Sequence, residues 1–223
     1  MSASKPRGGL RIGLTGGMAS GKTTVAEAWK SLGARVLSSD ETVHLLLDGD
    51  DDVKREIADF FGHRVFDENG NIVRAALGAA VFADEPARQR LMRILHPRTI
   101  AIHRAEADDY LRLNPLGVVV FDSPLLFESG LDAFVDITVV VGSSHADQVA
   151  RALARAEAQG QPLSPVDVER RIALQMPMVE KRRRAAYVIE NDGTLADLER
   201  KARELWRIIV GEDVGSDASE RSP

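Results

Sequence analysis

The chain contains no cysteine, so disulfides and thiolate metal sites are excluded. A cysteine-free sequence suits a reducing compartment. No apolar run is long enough to span a bilayer; LGVVVF (Leu116 to Phe121) is among the longest. The first residues, MSASKPRGG, lack the apolar core of a secretory signal. A soluble, cytoplasmic protein without a membrane partner is the expectation. A net charge of −5 lacks the broad basic excess that general nucleic-acid binding needs. His44, His63, His103 and His145 are isolated, with no metal-ligand spacing, and are expected at the surface or in the core. There is no internal repeat, no G-x-G-x-x-G of a dinucleotide site, and no N-K-x-D guanine signature.

What is present is an ordinary globular composition. The chain has 223 residues, 44% hydrophobic and 28% charged, which fits one domain with inserts or two small ones. Short apolar runs at Arg11–Thr15, Ala34–Ser38, Val118–Phe121, Ile137–Val141 and Tyr187–Asn191 read as strands. The β-branched runs among them suit burial on both faces, hence a parallel sheet. Helices are expected between the strands. One covers Thr23–Leu32, and DDVKREIADFFG places Val53, Ile57, Phe60 and Phe61 on one face. Pro86–Leu113 reads as largely helical with an interruption near His96-Pro97. Ser164 with Pro165, and Thr194 with Asp197, read as helix starts. The alternation gives an α/β doubly wound fold. Two stretches without strands, about 48–115 and about 143–186, read as helical inserts. Residues 1–9 and 211–223 are polar and expected to be disordered.

GLTGGMASGKTT (Gly13 to Thr24) satisfies G-x-x-x-x-G-K-[ST] through Gly16, Gly21, Lys22 and Thr23. Glycines let successive backbone N–H groups of Gly17, Met18, Ala19 and Ser20 curl toward phosphate oxygens. The helix that follows, including Thr24, begins with unpaired N–H groups and a positive dipole end. Lys22 would neutralise β- and γ-phosphate charge, and the Thr23 hydroxyl would ligate Mg²⁺. The predicted ligands are therefore a nucleoside triphosphate and Mg²⁺; ATP follows from the resemblance given below.

Two carboxylates follow strands and would sit at the same sheet edge. Asp122, closing VVVFD, is a candidate Mg²⁺ or nucleotide-site carboxylate, or else a turn cap. Asp40, in VLSSDETVH, is either a base that accepts a hydroxyl proton, with metal contact as a further option, or the N-cap of the next helix. KRRR (Lys181 to Arg184) reads as a solvated charge run, with one member free to face a nucleotide. Met176 and Met178 read as core packing.

The order of GLTGGMASGKTT, Asp40, LHP (Leu95 to Pro97), DSPLLFE (Asp122 to Glu128), RIALQMP (Arg171 to Pro177) and VIENDG (Val188 to Gly193) resembles the dephospho-CoA kinase family across Leu10 to Val210. The resemblance implies a P-loop NTPase fold over residues 10–210. Its core is a five-stranded parallel sheet flanked by helices, with a helical CoA-binding insert at about 48–115 and a helical lid at about 143–176. It implies transfer of the ATP γ-phosphoryl group to the ribose 3′-hydroxyl of dephospho-CoA; a monomer is the expectation. By position, it makes Asp40 the base and places His96 and Pro97, with Asp122 and Leu125, on the acceptor side. Arg155 and Arg171 become lid arginines on ATP phosphates, Arg155 counted with Lys22 and Asp40 as catalytic. Asn191 and Gly193 fall near the adenine. Ser38-Ser39-Asp40 stands where the family often has D-A-D, and AEAQGQPLSP is longer than the usual lid turn. A kinase of another small molecule or of a nucleoside monophosphate is the competing enzyme; an ATP-gated binding module is the competing non-enzyme.

Overall fold

A computed structural model describes residues 9–211. The terminal segments expected to lack order fall almost wholly outside the described residues. The apolar runs form β1 (Leu10–Gly16), β2 (Arg35–Ser38), β3 (Val118–Asp122), β4 (Ile137–Gly142) and β5 (Tyr187–Glu190). All pair in parallel, in the order β2-β3-β1-β4-β5. The register aligns Asp122 with Leu14 on one side and with Ser38 on the other. The segments leaving β1, β2 and β3 therefore converge at one sheet edge. In open parallel sheets such a carboxyl-end crevice is where ligands bind.

Helices cover both faces. On one, α1 (Lys22–Ser31) and α9 (Leu195–Val210) pack on Ile12, Leu14, Val120 and Val139. Trp29 is fully buried there, donates its indole N–H to the Ala202 carbonyl at 2.8 Å, and lies 6.0 Å from the Trp206 ring. The alternate strand residues Val119, Phe121 and Val140 face a second cluster on the other side. That cluster takes Ala107 and Leu111 from α5 (Glu85–Leu113). Met176 and Met178 pack against it, as expected.

The first insert comprises α2 (Ser39–Gly49), α3 (Asp51–Phe61), α4 (Arg74–Ala83) and most of α5. It has a core of its own, with Leu46, Val53, Ile57, Phe61, Leu77 and Ile94 buried together. Val53, Ile57 and Phe61 occupy the buried stripe of α3 at the i, i+4, i+8 spacing. Phe60, expected on that face, is 48% exposed and packs edge-on against Phe61. It lies one position off the stripe. The second insert holds α6 (His145–Ala158), α7 (Pro165–Ala173) and α8 (Met178–Arg184). Ser164 caps α7 by accepting from Asp167 N–H, with Pro165 in the first turn, and Thr194 and Asp197 form the capping box of α9.

The expected break at His96-Pro97 does not occur. α5 runs unbroken through Pro97. A proline inside a helix forfeits one backbone bond and costs about 3 kcal/mol. Here the buried face continues across it, with Ile94 and Leu95 before the proline and Thr99 and His103 after it. Packing on two cores at once outweighs the local penalty. The Arg98 guanidinium also donates to the Ile94 carbonyl at 2.9 Å, within the turn that Pro97 weakens.

The KRRR run also departs from its expected solvated state. Lys181 has no exposed side-chain surface and lies 3.1 Å from Glu128. Arg182 makes a two-pronged pair with Glu190, both contacts 2.9 Å, and Arg184 pairs with Asp132 at 3.1 Å. Only Arg183 is mostly exposed.

Candidate active site

The phosphate loop joins β1 to α1. Its curvature depends on residues in the left-handed region: Gly21 at φ 96° and Ala19 at φ 55°. A side chain on Gly21 would be strained by that backbone and would place Cβ 2.6 Å from the Asn191 amide nitrogen. At Gly16, Cβ would lie 2.8 Å from the Val141 carbonyl oxygen of the neighbouring strand. Alternation of right- and left-handed residues turns backbone N–H groups to one side, the geometry of an anion nest. The loop is braced from beneath: Asn191, buried after β5, donates its side-chain N–H to the Ser20 carbonyl at 2.8 Å.

Lys22, the first residue of α1, donates to Asp122, the last of β3; their side chains are 14% and 12% exposed. Burial raises the Asp122 carboxyl above its ordinary value, and Lys22 opposes that rise. Asp122 is thus a carboxylate held beside the phosphate loop, and the alternative of a turn cap drops away.

Asp40 is equally free of a capping duty. The N-cap of α2 is Ser38, whose hydroxyl accepts from Glu41 N–H at 3.3 Å. That leaves the Asp40 carboxylate exposed in the first turn. It lines a cleft of about 590 Å³ together with Gly17–Thr24, Pro124, Arg151, Arg155 and Gln175. It also lines a small pocket of about 70 Å³ shared with Val43, His96, Ser123 and Leu125. A groove of about 360 Å³, walled mainly by apolar side chains, continues from there past Val43, Leu91, Leu95, His96 and Leu125. Both larger cavities fall in the range of small-molecule sites. Pro97 joins His96 and Glu128 on a further cavity of about 380 Å³.

Most of the site residues named from the sequence converge on these cavities. Arg155 is on the phosphate-loop cleft. Arg171, expected beside it, lines the apolar groove instead. Asn191 lies under the loop, and Gly193 sits against the Asp197 carboxylate of the α9 capping box. Arg151 escaped sequence reasoning, although it stands one helical turn before Arg155. Its guanidinium reaches the cleft, donates to the Asn191 carbonyl at 3.3 Å, and leaves Nη1 buried without a partner among the described residues. Lys181 and Glu128 also escaped; the charge run around Lys181 argued for solvent, and only the fold reveals their burial.

A nest for phosphate at the end of a parallel sheet, carboxylates closing the adjacent strands, arginines across the cleft and a second cavity adjoining it define a P-loop phosphotransferase. The family model for dephospho-CoA kinase matches residues 10–197, and the chain belongs to that family. It is 39% identical over 198 residues to the dephospho-CoA kinase of Corynebacterium diphtheriae, covering 88% of this chain and 95% of that one. With the dephospho-CoA kinase of Geobacter sulfurreducens it shares 39% identity, covering 87% and 96%. Among solved structures, TT1252 from Thermus thermophilus superposes with a TM-score of 0.71 at 32% identity, covering 90% of this chain and 97% of that one. Dephospho-CoA kinase from Campylobacter jejuni shares the fold, with a TM-score of 0.59 at 22% identity over 90% and 97% of the two chains.

Proposed function

We propose that this enzyme transfers the γ-phosphoryl group of ATP to the ribose 3′-hydroxyl of dephospho-CoA, giving coenzyme A and ADP. The observation that carries the reading is the position of Asp40 on the wall common to the phosphate-loop cleft and the pocket beside His96 and Leu125. A hydroxyl bound in that pocket meets a carboxylate on the side that faces the donor. Asp40 orients the hydroxyl and accepts its proton. The phosphate loop and Lys22 hold the triphosphate, and Arg151 and Arg155 add positive charge from the opposite wall. Phosphoryl transfer proceeds through a loose transition state, so alignment and charge neutralisation contribute more than proton removal.

The residues present suit Mg²⁺ bound with the nucleotide. Among the described residues no group of three or more histidines and carboxylates could hold a metal alone. Mg²⁺ is commonly held by one or two carboxylates together with substrate phosphates. Thr23 and Asp122 would hold it here, and the ion would neutralise charge on the phosphate oxygens. α6 and α7 act as a lid that keeps water from the donor, and α2–α5 as the acceptor-binding insert. No described helix is long and apolar enough to cross a membrane, and the reading takes the enzyme as a cytoplasmic monomer.

The test is a coupled ADP-release assay with dephospho-CoA set against a panel of nucleoside monophosphates and sugars. Turnover that depends on dephospho-CoA supports the assignment. Activity with another acceptor alone overturns it.

A further inference from the structure

Pro124 lines the phosphate-loop cleft, the small pocket at Asp40 and the apolar groove. Gln175 lines both the cleft and the groove. These two residues form the partition across which donor and acceptor must meet, and one buried ion pair holds both. Lys181 Nζ donates to the Pro124 carbonyl at 2.5 Å and lies 3.1 Å from Glu128 Oε1. The same Glu128 oxygen accepts from the backbone N–H of Met176, next to Gln175, at 2.7 Å. On the far side of Gln175, the Leu174 carbonyl accepts from Arg88 on α5 at 3.1 Å. Thr15 Oγ1 is a second, longer donor to the Pro124 carbonyl, at 3.3 Å.

A buried ion pair contributes little net stability, because desolvation offsets the attraction. Lys181 has no exposed side-chain surface and Glu128 only 17%. Burial pushes the Lys181 ammonium below its ordinary value; Glu128 opposes that shift and Lys22 adds to it. The expense is out of proportion for a residue that only fills space, where an apolar side chain would serve. A lysine is matched to this position by the carbonyl it grips.

We propose that Lys181 and Glu128 are a positioning pair that sets the spacing of the phosphate-loop cleft and the acceptor groove through Pro124 and Gln175. Neither residue touches the reacting atoms. They act on turnover by keeping the loop after β3 and the joint between α7 and α8 in register, so that the hydroxyl at Asp40 lies in line with the donor. This role rests on the transfer reaction proposed above. Displacing reacting groups by about 1 Å can cost 10²-fold in rate.

The test compares wild type with the double variant Lys181→Met, Glu128→Gln. The double change leaves no unpaired buried charge and keeps an amide oxygen for Met176. The expected result is a 10- to 100-fold fall in kcat, with KM for ATP within about threefold of wild type and a larger share of ATP lost to acceptor-independent hydrolysis. A purely structural pair would lower Tm and leave that partition and kcat at permissive temperature unchanged, which overturns the proposal; so does an equal loss of ATP affinity and kcat. Thr15→Val removes the second donor to the same carbonyl without changing charge. It should lower kcat about two- to tenfold with the same unchanged KM for ATP, as the loss of one hydrogen bond implies. If the double variant does not fold, unchanged kcat in Thr15→Val overturns the proposal by itself. The wild-type assay separates the two claims: no transfer to dephospho-CoA sinks the functional reading, whereas normal transfer by a folded double variant sinks only the positioning role.

Discussion

Lys22 and Asp122 meet at the top of the sheet although 100 residues separate them in the chain. One opens the helix after the phosphate loop, and the other closes the strand beside it. The pair places a cation and a carboxylate at one point beside the phosphate loop; in the proposed reaction the nucleotide and Mg²⁺ would divide it between them.

Lys22→Ala should therefore cost more activity than Asp40→Asn. Removing a general base typically costs about 10²- to 10⁴-fold, and in a loose transition state charge neutralisation outweighs proton removal. Steady-state kcat/KM from ADP release measures both. Unchanged turnover in Asp40→Asn would remove Asp40 from the role of base.

Asp122 links activity to pH. Its carboxyl is raised from 3.8, chiefly by burial. The proposed Mg²⁺ contact needs the ionised form, so kcat/KM should fall on acidification at a higher pH than an ordinary aspartate would give. The stability sign is opposite. A group whose folded pKa is raised binds its proton more tightly in the native state, so its contribution is present in acid and lost as pH rises through the folded pKa. Asp122→Asn should abolish activity at pH 7 and also lower Tm, because it leaves the mostly buried Lys22 without its partner; a pH–rate profile and thermal melts read both.

Arg155→Ala and Arg151→Ala should both raise KM for ATP and lower kcat. They should differ in stability. Arg151 also donates to the carbonyl of Asn191, the residue whose side chain braces the phosphate loop, so its loss should lower Tm. Arg155→Ala should melt like wild type. A pair of variants with normal ATP kinetics would show the α6 face to be structural.

His103 should make the fold acid-sensitive. Burial lowers its pKa from 6.5, and Thr42 Oγ1 sits 2.9 Å from its Nε2. His96 is lowered in the same direction, also by burial. The unfolded chain then binds protons more readily, so stability is lost as pH falls below about 6.5. His103→Gln should melt lower at neutral pH, having lost its packing on Phe121, but with a shallower decline in acid. Melts from pH 5 to 8 check this; an unchanged slope would clear His103.

Much of this was legible in the order of residues. The five strands, the α7 and α9 caps and the phosphate loop follow from local rules: β-branched runs, Ser or Thr before a helix, glycine where φ is positive. Asp40 was ambiguous at that level, because a carboxylate at a helix start reads as a cap. The fold resolved it by giving the cap to Ser38. The break drawn at Pro97 failed because a local penalty was set against packing that cannot be seen in a window of sequence.

The sequence by itself determined the donor side and the family. Gly16 to Thr24 are contiguous, and a loop that folds on itself needs no distant partner to show its chemistry. Tertiary structure alone decided which side chains share a wall. Asp40 borders two cavities because β2 and β3 lie side by side. Arg171 lines the apolar groove because of how α7 packs. Lys181 is buried although it sits in a run of four cations, because Glu128 and the Pro124 carbonyl come to it from the loop after β3. Burial is a property of the assembled chain, and it converts an ordinary surface residue type into a fixed support for the site.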